Sequence, residues 1–208
     1  QFGRLITALE NDETYNDTII IFTSDHGELL FDNQLFRKVL PYEGSTRIPL
    51  IVHIGKNIQK CLPFKSTSVV ELMDIMPTLL DLCNINIPTC VDGISLKNEI
   101  FEHKKIDRSY IHGEHSRDAE QSNQFIVTEK DKYIWFTQTN KEQYFDLSTD
   151  PREEHNLINN PAYAERISQL RHCLIDELKD REEGYVQNGK LVPGQKPVVM
   201  LQHPKQSN

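Results

Sequence analysis

Thr18-Ile19-Ile20-Ile21-Phe22-Thr23-Ser24-Asp25-His26-Gly27 is the stretch on which the fold turns. Its first six residues are β-branched or aromatic with no polar alternation, the pattern of a strand buried on both faces in a parallel sheet. The run then stops on polar residues and a glycine. Upstream, Phe2, Leu5, Ile6 and Leu9 recur at helical spacing with no capping residue ahead of them, so the chain is expected to begin inside a helix. Downstream, after a loop at 27–47, Ile48-Pro49-Leu50-Ile51-Val52-His53-Ile54 is a second such run, with Pro49 near its start, where a missing N–H is tolerable. A helix followed by two such runs predicts α/β layering.

Further along, Ile75, Met76, Leu79, Leu80 and Leu82 predict a helix with Asp74 as its N-cap and Pro77 in the first turn, where the lost donor costs little. A rival start at Ser68, with Glu71 completing a capping box, would leave Pro77 as a kink, and the Asp74 start is preferred. Past about Ile100 the texture changes to charged residues and short strands with polar punctuation, which places a subdomain boundary there. Residues 1–103 are read as part of an α/β domain with a parallel or mixed sheet, 104–186 as a small antiparallel sheet plus helix, and 187–208 as an extended or disordered tail. In the middle segment, Phe125–Thr128 and Tyr133–Phe136 read as a hairpin with Tyr144–Leu147 beside it. Asn160-Pro161 opens a helix expected over 161–183, whose stripe of Tyr163, Ile167, Leu170, Leu174 and Leu178 is expected to pack on that sheet.

Bulk composition excludes several function classes. Of 208 residues, 38% are hydrophobic, enough for a packed core, and the net charge of −8 repels nucleic-acid phosphates. No apolar run reaches the roughly 18 residues of a membrane helix. Cys61, Cys83, Cys90 and Cys173 form no CxxC pair and no Cys/His spacing of a zinc site, so they leave the redox compartment open. No basic segment followed by an apolar one marks a signal peptide here, and any targeting signal is expected to lie in a missing upstream part.

In open α/β sheets ligands collect beyond the carboxyl ends of strands, which is where Asp25-His26 falls. A carboxylate there suits a hard cation such as Ca²⁺ or Mg²⁺, and the adjacent His26 adds a nitrogen donor or a ligand contact. The competing reading is a loop aspartate that caps a turn. Resemblance decides between them. Ile21–Glu28, then Lys38, Pro41-Tyr42-Glu43 and Arg47–Val52 follow the order of type I sulfatases. So do Met76–Leu82, Asp92-Gly93-Ile94-Ser95-Leu96, Lys132-Tyr133-Ile134-Trp135 and Tyr144–Leu157, and the resemblance spans residues 2 to about 180.

This resemblance implies the alkaline-phosphatase-like α/β fold. It also implies a divalent cation, usually calcium, that holds the sulfate, and a formylglycine nucleophile made from Cys or Ser. Asp25 matches the metal-ligand aspartate, and His26 the position beside it that contacts metal or sulfate. Lys38 matches a lysine that binds sulfate oxygens, and its ammonium would offset charge building on the ester during cleavage. All three are thereby expected to serve one sulfate group, with the substrate a sulfated small molecule or glycan. The formylglycine motif and the paired aspartate ligands belong upstream of Gln1, so the partner implied is a missing amino-terminal half, and this chain alone is expected to be inactive. Cys61-Leu62-Pro63-Phe64-Lys65 imitates the motif but lacks its Arg and Gly, and Cys61 is read as a loop thiol. The resemblance also implies a periplasmic or secreted protein, although nothing in this chain fixes the compartment.

A second cluster, His112-Gly113-Glu114-His115-Ser116-Arg117, is dense in groups that donate, accept and titrate near neutrality. A spacing of two puts His112 and Glu114 on one face of a strand, with His115 pointing elsewhere unless the chain turns at Gly113. In sulfatases this region approaches the active-site mouth, which makes His112, Glu114, His115 and Arg117 candidates for substrate recognition. Asp150–Glu154 reads as a structural turn. Two other functions fit the same residues: a phosphate- or phosphonate-ester hydrolase of the same superfamily, and a non-catalytic module that retains sulfated ligands.

Overall fold

The apolar run at 18–23 forms a strand, and helices on both of its faces explain why it lacks polar alternation. The computed structural model describes residues 1–116 and 120–198. Two compact units result, one of Gln1–Gly27 with Arg47–Arg108, the other of Glu28–Thr46 with Ser109–Asn208. No helix among the described residues is long and apolar enough to cross a membrane.

In the first unit, α1 (Phe2–Asn11) is followed by β1 (Ile19–Thr23), which pairs with β2 (Leu50–Ile54) in the register Ile19 with Ile54 and Thr23 with Leu50. The pairing is antiparallel, which corrects the parallel reading of β1. A continuous apolar run does not report strand direction. Here one face, with Ile19, Leu50, Val52 and Ile54, packs against Leu82, Leu96 and Ile100. The other face carries Ile20, Phe22, Ile51 and His53 and is partly covered by Phe2, Ile6 and Tyr15; the Phe2 and Phe22 rings lie 5.0 Å apart.

The next helix in this unit begins where Asp74 predicts. A 3₁₀ turn at Leu72–Asp74 leads into α-helix Ile75–Leu82, with Pro77 in its first turn. The Asp74 carboxylate turns back to accept the Glu71 N–H at 2.9 Å, a capping box one triplet later than the Ser68 alternative. It also accepts the Ile94 N–H at 2.8 Å and is gripped by Arg108 at 2.6 and 2.8 Å, with no exposed surface. Burial pushes this carboxyl up, but Arg108 and the two N–H donors outweigh it and hold it below the usual range. Leu96 N–H donates to Thr78 Oγ1 at 3.0 Å, and a Cβ on Gly93 would stand 2.1 Å from the Met73 carbonyl oxygen. The Met76–Leu82 and Asp92–Leu96 motifs are thus two halves of one docking contact, closed by a helix at Lys97–Glu102.

The second unit is built on four antiparallel strands in sequential order, Ile111–His115, Asn123–Val127, Asp131–Phe136 and Glu142–Asp146. Helix Ala164–Leu178 covers one face through Ile167, Leu170, Leu174 and Leu178, which meet Ile126, Tyr133, Trp135 and Tyr144 as the stripe predicts. It is shorter than the expected 161–183: Pro161–Tyr163 is a 3₁₀ turn capped by Asn160, and the α-helix stops at Leu178, before Gly184. Arg166 fixes the helix to Asp131 at 2.7 and 3.0 Å, and Arg171 to Glu142 at 2.7 and 2.8 Å.

Segment 28–46 covers the opposite face with Leu29, Leu35, Leu40 and Tyr42 against Ile134 and Phe145. Its only helical pieces are a 3₁₀ turn at Asp32–Gln34 and the four residues Glu43–Thr46. At the start of the stretch 187–208 expected to be extended or disordered, Lys190–Leu191 pairs back onto Val186–Gln187 as a small hairpin. Gly194 N–H then donates to the Thr137 carbonyl at 2.8 Å.

Candidate functional site

β1 ends at Thr23, and the chain turns at once through Ser24-Asp25-His26-Gly27. Ser24 Oγ donates to the His26 carbonyl at 2.6 Å, and the His26 N–H donates to Asp25 Oδ1 at 3.0 Å, so the turn is held by its own polar groups. The Asp25 side chain is 81% exposed and the His26 ring 37%. His26 Nδ1 lies 2.8 Å from the Gly27 carbonyl oxygen, an acceptor, so Nδ1 carries the proton and donates. Nε2 then faces Asp25 Oδ2 at 3.3 Å.

Metal-binding imidazoles commonly donate their other N–H to a carbonyl in this way, which fixes ring orientation and basicity. A carboxylate and an imidazole are donor types that divalent cations take. One carboxylate and one imidazole are short of the six to eight oxygen donors that calcium takes.

Lys38 belongs to the second unit, whereas Asp25 and His26 belong to the first. It is exposed, on a bend that runs from Arg37 to Leu40. What shapes this bend lies at both ends of segment 28–46. Leu29 N–H donates to the Arg37 carbonyl at 3.1 Å, and the Arg37 N–H returns to the Glu28 carboxylate. At the other end Ser45 Oγ donates to the Leu40 and Tyr42 carbonyls.

Residues that the sequence reading passed over hold the same end. Lys132, with no exposed side-chain surface, lies 2.8 Å from Glu43 Oε1 and 2.8 Å from Glu153 Oε1, and donates to the Pro41 carbonyl at 2.8 Å. Burial pushes the Glu153 carboxyl above its ordinary value against the pull of Lys132. The signal was present: a lysine inside an otherwise apolar strand, Lys132-Tyr133-Ile134-Trp135, requires a buried partner.

The second cluster is brought together only in part. His112 and Glu114 share a face of their strand, as the spacing requires, and both meet Gln124 on the neighbouring strand. His112 Nε2 lies 2.8 Å from Gln124 Oε1, and Gln124 Nε2 donates to Glu114 Oε2 at 2.8 Å. The same Glu114 oxygen takes Arg181 at 3.0 Å and Ser116 at 3.1 Å, so this carboxylate ties its strand to the turn after the long helix. Hydrogen bonding to Glu183, and then Glu114, raises the Arg181 guanidinium further, which keeps it a permanent cation. His115 falls on the opposite face, since the strand runs straight through Gly113, where a Cβ would collide with the Phe125 ring. Arg117 lies outside the described residues. Asp150 accepts the N–H groups of Glu154 and His155, which makes 150–155 a self-capped turn. An open cleft of about 640 Å³ in this unit is lined by Leu40, Phe136, Gln143 and Asn156, and by none of the proposed site residues.

With this geometry in view, comparison with known proteins places the chain. Residues 31–180 match the family described as N-sulphoglucosamine sulphohydrolase, C-terminal. An arylsulfatase of Clostridium perfringens is 50% identical over 204 residues, 98% of this chain and 42% of that protein. Among solved structures, BT4656 in complex with its substrate D-glucosamine-2-N,6-O-disulfate superimposes with a TM-score of 0.71 at 29% identity, covering 86% of this chain and 38% of that one. The phosphonate monoester hydrolase SpPMH from Silicibacter pomeroyi gives a TM-score of 0.73 at 25% identity, covering 85% and 37%. The chain spans less than half the length of each. Its α/β architecture is that of the alkaline-phosphatase-like sulfatases. The chain belongs to the N-sulphoglucosamine sulphohydrolase C-terminal family, the carboxy-terminal part of type I sulfatases.

Proposed function

We propose that this chain supplies the carboxy-terminal share of a sulfatase active site that hydrolyses a sulfated small molecule or glycan. Asp25 and His26 would hold a divalent cation, calcium by family resemblance, whose positive charge helps to bind the sulfate group. Lys38 would bind sulfate oxygens and offset charge as the ester bond breaks. The formylglycine nucleophile, with the remaining metal ligands, would come from an amino-terminal part. What supports this reading most is the likeness to the Clostridium perfringens arylsulfatase, which runs through the Asp25–His26 turn and the Lys38 segment alike.

A second reading, hydrolysis of a phosphonate or phosphate ester, is favoured by the likeness to SpPMH. Paired assays of a chromogenic aryl sulfate and the matching aryl phosphonate, on this chain joined to an amino-terminal sulfatase part, separate the two. The sulfatase reading expects the sulfate to be the better substrate, and preference for the phosphonate overturns it. No turnover of either, together with retention of sulfated sugars, would indicate a binding module.

Recognition at the substrate mouth is proposed for His112, Glu114, His115 and Arg117. Alanine at each is expected to reorder the preference among sulfated substrates without abolishing cleavage, since recognition contacts are worth about 1–3 kcal/mol. Glu114→Ala also removes the Arg181 tether, so it should lower thermal stability as well. Unchanged kinetics on every substrate would assign the cluster to structure alone.

A further inference from the structure

We infer that the buried Lys132 ammonium, bridging Glu43 and Glu153, is a positioning device that sets the 28–46 segment, and with it Lys38, on the sheet of the second unit. The catalytic consequence rests on the reading of Lys38 as the sulfate-binding lysine; the structural claim does not.

Three observations carry it. First, segment 28–46 carries costly backbone despite internal hydrogen bonds such as Leu29 N–H to the Arg37 carbonyl and Phe31 N–H to the Leu35 carbonyl. Between Leu30 and Arg37, five non-glycine residues stand in the left-handed region: Leu30 at φ 46, Phe31 at 81, Asn33 at 51, Gln34 at 60 and Arg37 at 72. Such backbone persists only when its surroundings over-determine it.

Second, the Lys132 ammonium is enclosed. Its three N–H bonds face four oxygens: Glu43, Glu153 and the Pro41 carbonyl, each 2.8 Å from Nζ, and Thr46 Oγ1 at 3.4 Å. The other oxygen of Glu153 accepts the Glu43 N–H at 2.5 Å, so strand, segment and turn share one knot. Glu153 is itself left-handed, at φ 56.

Third, the knot does what the apolar contacts beside it cannot. Buried ions cost desolvation that packed hydrophobic side chains avoid, so stability alone does not account for the trio. Leu29, Leu40 and Tyr42 hold the segment against the sheet through apolar surface that tolerates sliding, and the Tyr42 hydroxyl to Gln143 at 3.0 Å and Asn123 to the Val39 carbonyl at 3.3 Å add single hydrogen bonds, whereas an ammonium between two carboxylates and a carbonyl ties three points at once. Lys38 stands five residues from Glu43, a reach of at most about 18 Å of chain, so a shift at the knot passes to the bend that carries it.

The test compares the parent protein with Glu43→Gln, which keeps the shape and leaves Lys132 paired with Glu153, and with Lys132→Met. Tryptic cleavage after Arg37 and Lys38 is expected to accelerate about tenfold in Glu43→Gln, while amide exchange at Ile126, Tyr133 and Trp135 stays at the parent rate. In the turnover-competent enzyme, kcat per titrated active site should fall about tenfold, because small misplacements of a charge-stabilising group cost rate rather than active protein. Cleavage at the parent rate in both variants overturns the inference. So does faster exchange of the sheet amides in step with cleavage in Glu43→Gln, since the knot would then support the sheet and not the segment. If the parent itself turns over no sulfate ester, the proposed function fails, and the cleavage comparison still decides the positioning claim.

Discussion

Lys38→Ala is expected to lower kcat/KM on a sulfate ester by about 10²–10³ in the assembled enzyme, the range seen when one group that stabilises transition-state charge is removed. The residue is exposed on a bend, and thermal melts of the variants beside the kinetics separate lost rate from lost fold. Lys38→Arg keeps the charge but moves it, and should recover part of the rate. Steady-state kinetics on a chromogenic aryl sulfate read both variants. A loss below about threefold for Lys38→Ala, far short of a charge-stabilising role, would return Lys38 to the status of a surface lysine.

The second large effect is on stability. Asp74→Ala should cost about 3 kcal/mol, because it takes the two-point partner from Arg108, whose side chain is only 10% exposed and is left with Glu71 at 3.2 Å and the Val69 carbonyl at 3.3 Å. It also leaves the Glu71 and Ile94 N–H groups without their acceptor. For a chain of this size such a loss lowers the melting temperature by about 10 °C.

The effect has a defined pH dependence. Asp74 is held below its unfolded value, so its contribution is present above about pH 4 and is lost as pH falls through the folded pKa. The gap between parent and Asp74→Ala in denaturant melts should therefore narrow on acidification. Asp131 and Glu142, depressed by Arg166 and Arg171 against their burial, remain in both proteins and cancel from the difference. A gap that widens toward acid would contradict the assignment.

How much of this was legible in the sequence depends on whether local chemistry or long-range packing decides each element. The long helix was readable because Ile167, Leu170, Leu174 and Leu178 form an apolar stripe that any sheet would bury. Its length was not: the turns at Pro161–Tyr163 and after Leu178 differ from α-helix by backbone geometry that periodicity does not report. Strand existence at 19–23 and 50–54 was readable; strand direction was not, since helices on both faces erase the alternation that marks antiparallel pairing elsewhere.

The route of segment 28–46 was also hidden. It is sequence-adjacent to β1 and β2, yet it packs in the other unit through contacts 89 to 110 residues away. At the candidate site, Asp25, His26 and Lys38 came from resemblance. Their spacing alone was compatible with a capped turn, and the turn is in fact self-capped. His112 and Glu114 were placed by strand alternation, but that Arg181 would hold Glu114 could not be read across a separation of 67 positions.

The most direct test of the central claim is turnover of a chromogenic aryl sulfate, with calcium present, by this chain joined to an amino-terminal sulfatase part that carries formylglycine, beside each part alone. Turnover is expected from the joined protein and none from this chain, because Asp25 and His26 are too few ligands for calcium and no lysine supplies the covalent step. Turnover by this chain alone would contradict it, with Cys61, whose thiol lies 3.2 Å from the Ile100 carbonyl oxygen, the first residue to examine as an overlooked nucleophile.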